Sequence, residues 1–256
     1  MDRKNWVVGA LLLVVLFAAI SGIARLWMRD RAQKEMLTGN CKIERDFVSV
    51  VLIDDTDPIT LERDEAAAFI LKSAEDSPRY SRFALYKLSD AAAGKKEPAL
   101  ELCNPFGKTD RVNKLTEDAN ELKRARNKFL REVKKITQSL LDVQEKPFSP
   151  IMEGIRFVAV TEFFPLKEDA RRNLIVVSDM MQNTRDFSMF DKKQQKEFDR
   201  FKRRPYYRRL KTKALENARV SVFELTRTSP AQDDGVIRFW EEYFRDQKTE
   251  TADFVR

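Results

Sequence analysis

Two apolar runs of this sequence end in acid. Residues 48–53 (VSVVLI) lead into Asp54 and Asp55, and residues 173–178 (NLIVVS) lead into Asp179. A continuous apolar, β-branched run reads as a strand buried on both faces. Acids at two such strand ends can converge on one cation. The chain contains no histidine, which excludes Ser-His-Asp and Cys-His catalysis and His-ligated zinc. Any metal here would be hard and oxygen-ligated: magnesium, manganese or calcium. The acids also have a plainer use, with Asp54 and Asp57 capping the next helix and Asp179 forming a turn with Asn183.

Those acids need a scaffold, and the rest of the chain supplies one. Of 256 residues, 43% are apolar and 35% charged, a balance that fits neither disorder nor a multi-span membrane protein. Residues 60–75 have helical spacing. Residues 82–88 (RFALYKL) and 99–103 read as strands joined by a hairpin through the turn-like 90–98. A long charged helix is expected over 114–144, with Leu115, Leu122, Ala125, Phe129, Val133, Ile136, Leu140 and Leu141 as its apolar stripe. Pro147 and Pro150 end it, and a shorter helix starts near Pro150. Residues 194–217 read as helical with a break at Pro205. Residues 220–225 (VSVFEL) form a third core strand and 235–247 an amphipathic helix. Strands alternating with helices imply an α/β fold: a Rossmann-like, mostly parallel sheet with helices on both faces. Such sheets bind ligands at the carboxyl ends of the strands, where the strand order switches.

The segment VSVVLIDDTDPIT resembles the first strand and first metal loop of a von Willebrand factor A (vWA) domain, whose pattern is Asp-x-Ser/Thr-x-Ser. Asp54 and Thr56 match, while Pro58 stands at the fifth position and has no hydroxyl. NLIVVSDMMQNT resembles the family's fourth strand and third metal loop, with Asp179 as the matching acid. The second loop of the family offers a Thr or Ser just before a helix, and KPFSPIMEGI places Ser149 there. The resemblance covers residues 47–247. It implies a Mg2+ or Mn2+ site formed by Asp54, Thr56, Ser149 and Asp179, with Asp57 replacing the hydroxyl missing at Pro58. One coordination position is left for a carboxylate on a partner protein. A rival resemblance is to haloacid-dehalogenase-type phosphatases: Asp55-Thr56-Asp57 stands for their first motif and the strand ending at Ser178 for their second. Their final acid pair is not found, because Asp233-Asp234 follows TRTSPAQ rather than an apolar strand.

The amino terminus carries an uncharged stretch from Trp6 to Ala24, bracketed by Trp6 and Trp27. It is long enough to cross a bilayer and reads as an uncleaved signal anchor over residues 6–28. A cleaved signal peptide is the alternative. Residues 1–5 form a short tail, 29–46 a linker, 47–248 the vWA-like domain and 249–256 a C-terminal tail. Arg25, Arg29, Arg31 and Lys34 follow the span and argue for a cytoplasmic domain. The two cysteines argue the other way. The resembled fold brings Cys41 and Cys103 to one rim, which implies a disulfide and an oxidising compartment; two unrelated free thiols are the alternative. The location expected is a bacterial-type inner membrane, crossed once, with the domain in the periplasm. A basic segment with interleaved tyrosines includes Arg203, Arg204, Arg208, Arg209 and Lys211. Its plainest reading is a solvated helix face with Tyr206 and Tyr207 packed inward, ahead of acidic protein or lipid, and nucleic acid last. Together these features describe a membrane-anchored protein-interaction domain, a subunit of a membrane-associated assembly. A metal-free scaffold whose interface is the helix at 114–144 is the alternative.

Overall fold

The computed structural model describes residues 13, 15–25, 46–56, 62–108, 110–112, 118–142, 145–191, 197–226 and 234–255. Six strands form one sheet in the order β3-β2-β1-β4-β5-β6. They are β1 (Phe47–Ile53), β2 (Arg82–Lys87), β3 (Leu100–Cys103), β4 (Arg171–Ser178), β5 (Ala218–Glu224) and β6 (Thr251–Val255). Every neighbouring pair is parallel except β2 with β3. The chain grows outward from β1 to β3, returns to place β4 beside β1, and grows outward again. The switch in strand order therefore lies between β1 and β4. The carboxyl ends of the parallel strands form the head of the domain and their amino ends the foot.

Helices cover both faces of the sheet, as the alternation of elements requires. α1 (Arg63–Asp76) and α3 (Ala119–Leu140) bury Ile70, Phe129 and Val133 against Val51, Ile53, Phe83 and Val177. The opposite face, with Val48, Val50, Leu52, Leu174, Val176 and Val222, is covered by α2 (Leu88–Ala92), α4 (Ile151–Glu162), α5 (Phe198–Lys202), α6 (Pro205–Leu210) and α7 (Asp234–Asp246). The apolar stripe expected on the long helix buries Leu122, Phe129, Val133 and Leu140, and Asp118 caps that helix by accepting from Asn120 N and Glu121 N. Leu115 lies outside the described residues. On α4, a Cβ at Gly154 would stand 2.4 Å from Leu88 Cδ1 and 3.3 Å from Leu52 Cδ2. Glycine at this position lets α4 lie close against the sheet.

Three expectations about elements are corrected. The 90–98 segment is not a plain hairpin loop, because α2 begins at Leu88 and runs into the alanines 91–92. The helix expected over 194–217 is two short helices and a 3₁₀ turn (Lys213–Leu215). Pro205 opens α6 at a position that needs no N–H, and Arg204 before it is extended, as residues before proline are. The C-terminal tail expected at 249–256 contains β6, which pairs with β5 from Arg219↔Thr251 to Phe223↔Val255. Among the described residues no helix is long and apolar enough to cross a membrane. Much of the span expected at residues 6–28 lies outside the described residues; residues 15–25 are helical.

One charged cluster joins a helix to the sheet and another joins three helices to one another. At the foot, Arg82 donates to Glu162 from Nε (2.8 Å) and Nη2 (2.6 Å), and the Tyr86 hydroxyl donates to Glu162 Oε1 at 2.6 Å. Arg82 also pairs with Glu101 on β3. At the end of α7, Asp246 accepts from the Tyr207 hydroxyl (2.6 Å) and Lys211 Nζ (2.7 Å) and pairs with Lys202. Burial pushes the Asp246 carboxyl up, but these three donors outweigh it and hold it down at about 2. A carboxylate with a depressed folded pKa adds stability above its ordinary value of 3.8 and loses it as the pH falls toward 2. Asp246→Asn should therefore lower the thermal midpoint at pH 7 and leave it nearly unchanged near the acid limit. Circular-dichroism melts across that range check this, and a uniform loss at every pH would contradict it.

Candidate functional site

The head of the sheet at the β1–β4 switch brings four of the five expected metal residues into one neighbourhood. Asp54 follows β1 directly, and its N–H donates to Val177 O on β4 at 2.8 Å. Its carboxylate is buried, 3% exposed. Oδ1 accepts from the Thr56 N–H (3.0 Å) and the Thr56 hydroxyl (2.6 Å). Oδ2 accepts from the hydroxyls of Ser178 (2.7 Å) and Ser149 (3.1 Å). Thr56 belongs to the β1 loop, Ser178 ends β4, and Ser149 precedes α4, so three segments converge on one carboxylate. Asp179 is buried beside Ser178 and accepts from Met181 N at 2.9 Å. Asp57 and Pro58 lie outside the described residues. Burial pushes the Asp54 carboxyl above its ordinary range, against the hydrogen bonds from Thr56, Ser178 and Ser149 that pull it down.

The neighbouring acid turns the other way. Asp55 accepts from the Ser89 N–H (2.8 Å) and hydroxyl (2.6 Å) at the start of α2, and from Lys146 Nζ (2.5 Å). Burial would raise its pKa, but Lys146 and Ser89 outweigh that and hold the carboxyl low. Ser178, which stood for the second phosphatase motif, donates to Asp54 and not to Asp55. Neither Lys146 nor Ser89 stands out in the sequence; Lys146 sits three residues before Ser149 but 91 residues from Asp55.

Residues 146–149 form a strap across the head. Lys146 N donates to Thr56 O at 2.7 Å, and Ser149 exchanges N–H···O bonds of 2.9 and 2.8 Å with Asn183. The Asn183 side chain donates to Pro147 O at 3.1 Å. On this pinned strap Phe148 is 44% exposed, with the Arg185 guanidinium 5.9 Å from its ring centre. The β4 loop is fixed from below. Met180 takes a left-handed backbone, φ 58°; its N–H donates to the Ser178 hydroxyl at 2.9 Å, and its carbonyl accepts from Trp240 Nε1 at 2.7 Å. Gln182 accepts from Met152 N at the start of α4 and donates to Glu153 and Tyr206. A pocket of about 300 Å³ opens beside the site rather than on it, with Arg156, Phe157, Tyr206 and Arg209 in its walls.

Among the described residues, no group of three or more His, Cys, Asp or Glu could hold a metal ion. A cation at the head would depend on hydroxyls as well as on Asp54 and Asp179. The donor set suits a hard ion in one respect: three hydroxyls give their protons to Asp54, which leaves oxygen lone pairs free to coordinate.

The remaining expected residues scatter. Arg203, Arg208, Arg209 and Lys211 are exposed around α6 and Arg204 is half-buried, while Tyr206 and Tyr207 pack inward. Arg209 pairs with Asp186 at 2.9 Å and Lys211 with Asp246; Arg204 lies 5.8 Å from the Phe187 ring centre. Cys103 is buried at the foot and disulfide-bonded. Cys41, the sequence's other cysteine, lies outside the described residues. No protein-family model matches the chain, and no curated protein matches it.

Proposed function

We propose that this chain is a membrane-anchored interaction domain of the vWA type, not an enzyme, which recognises a carboxylate on a partner protein at the head of its sheet. The observation that carries the reading is the convergence of Thr56, Ser149 and Ser178 on Asp54 at the strand-order switch. The antiparallel edge strand β3 on an otherwise parallel sheet supports it as well. Asp54, Asp179, Thr56 and Ser149 would hold Mg2+ or Mn2+, and the ion would supply a position for the partner's carboxylate. The protein would serve as a subunit of a membrane-associated assembly, tethered by residues 6–28 to a bacterial-type inner membrane with its domain in the periplasm. Nucleic acid is not the partner in this reading.

Calorimetry of the full chain in detergent with Mg2+ and then Mn2+ tests the metal. Saturable binding that disappears in Asp54→Asn is the expected result, and heat that is unchanged by the substitution would sink the site. A metal-free scaffold is the second reading. It is favoured by the four donors at 2.6–3.1 Å that already satisfy the Asp54 carboxylate. Under it neither protein binds the ion, and the interface moves to the charged outer face of α3.

A further inference from the structure

The foot of the domain differs in character from the head. The described chain enters the domain at Asp46, immediately before β1, so the tether from the N-terminal helix reaches the sheet at its amino end. Residues 15–25 are helical, and there Phe17 (76%), Ile23 (66%), Leu16 (60%) and Ile20 (57%) expose apolar side chains that nothing in the domain covers. The foot also exposes aromatics. Phe164, just past α4, is 71% exposed, and Tyr80, just before β2, is 39% exposed.

Guanidiniums stack on rings at the same end. Arg171 lies 5.0 Å from the Phe47 ring centre, and Arg79 lies 4.6 Å from that of Tyr80 and 5.6 Å from that of Phe106. Four of the foot's acids carry ion pairs: Glu216 pairs with Lys248, Glu250 with Arg219, and Glu101 and Glu162 with Arg82. Glu168 and Asp169 remain exposed beside Lys167 and Arg171, as do Asp46 before β1 and Asp76 at the end of α1. Solvent-facing aromatics flanked by arginine and lysine are the composition of a membrane–water interface, where rings sit at headgroup depth and cations meet lipid phosphates.

We propose that this foot, centred on Phe164, Tyr80 and Arg171, rests on the lipid surface that holds the N-terminal helix and turns the Asp54 end away from it. Docking of this kind depends on the membrane anchor in the functional reading but not on the metal. The twenty residues 26–45 could span at most about 70 Å if fully extended, so the tether alone allows either a docked or a free domain. The exposed rings are what select docking. Phe148 provides an internal control, being an exposed phenylalanine at the opposite end of the sheet.

The test uses the full chain in vesicles of phosphatidylglycerol and phosphatidylcholine, with p-benzoylphenylalanine in place of Phe164 or, separately, of Phe148. Both positions are exposed, so neither replacement threatens folding. Irradiation and mass spectrometry should find lipid adducts at 164 and none at 148. Absence of lipid adducts at 164, equal adducts at both positions, or a protein adduct at 164 would each overturn the docking. Alkaline extraction of the same vesicles separates the two failures. Chain that stays in the bilayer without an adduct keeps its anchor and loses the docked foot, whereas chain that is released loses both.

Discussion

Asp54→Asn should raise the thermal midpoint of the metal-free protein at pH 7, whereas Asp54→Ala should lower it. Burial lifts the folded pKa of Asp54 above its ordinary value of 3.8. An acid raised in the folded state stabilises most when protonated, below the unfolded pKa. That contribution declines as the pH rises toward the folded pKa, because the fold must then carry a buried charge. Asparagine keeps the shape and one accepting oxygen and never ionises, while the Ser149 and Ser178 hydroxyls must turn to accept from its amide nitrogen. Each 1 kcal/mol gained would raise the midpoint by roughly 2–4 °C for a domain of this size. Alanine instead leaves three hydroxyls and one N–H without their buried acceptor, a loss on the order of 3 kcal/mol. Calorimetric melts of both variants between pH 4 and 8 decide the matter. If asparagine destabilises as much as alanine, the carboxylate is a net stabiliser in spite of its burial. A gain with loss of ion binding would show stability given up at this position for function.

Glu162→Ala should cost more than Asp54→Ala, about 3–5 kcal/mol. Arg82 is 5% exposed and Glu162 2% exposed. Removing the carboxylate leaves a buried guanidinium with only Glu101, whose side chain is 42% exposed, and leaves the Tyr86 hydroxyl only its longer bond to Lys96 O at 3.2 Å. Replacing both charges with apolar groups of similar size, Arg82→Met with Glu162→Leu, should recover most of that loss, since neither member is then stranded. Urea unfolding of the two single variants and the double variant measures the difference. A double variant as unstable as Glu162→Ala would mean that the pair supports the fold through its geometry and not merely by mutual neutralisation.

The strands that carry the site were legible because burial on both faces leaves an unmistakable record. Residues 48–53 and 173–178 are mostly apolar, and the acids after them mark where each strand ends at the head of the sheet. Thr56 and Ser149 were reachable only by resemblance, since a hydroxyl near a helix start has too many other uses. The clasp of Lys146 and Ser89 on Asp55 was out of reach, because nothing local links residues that meet only after the sheet has formed. β6 escaped for a different reason. Thr251-Ala252-Asp253-Phe254-Val255 is an edge strand with half-exposed side chains, so it lacks the apolar density of β1 or β4. The anchor expected from composition falls on a stretch of which much lies outside the described residues.

Because β6 runs parallel to β5, it delivers Val255 toward the head. Anything fused after Arg256 emerges near the Asp54 cage, where an affinity tag, a fluorophore or a surface-coupling linker would compete with the binding event it is meant to report. The turn at Lys167–Asp169 lies at the other pole and gives an attachment point clear of that cage. If the foot docks as proposed, a probe there would report on lipid instead. Handles at the two poles thus sample different surroundings of one molecule, and the choice of handle decides which of them an experiment sees.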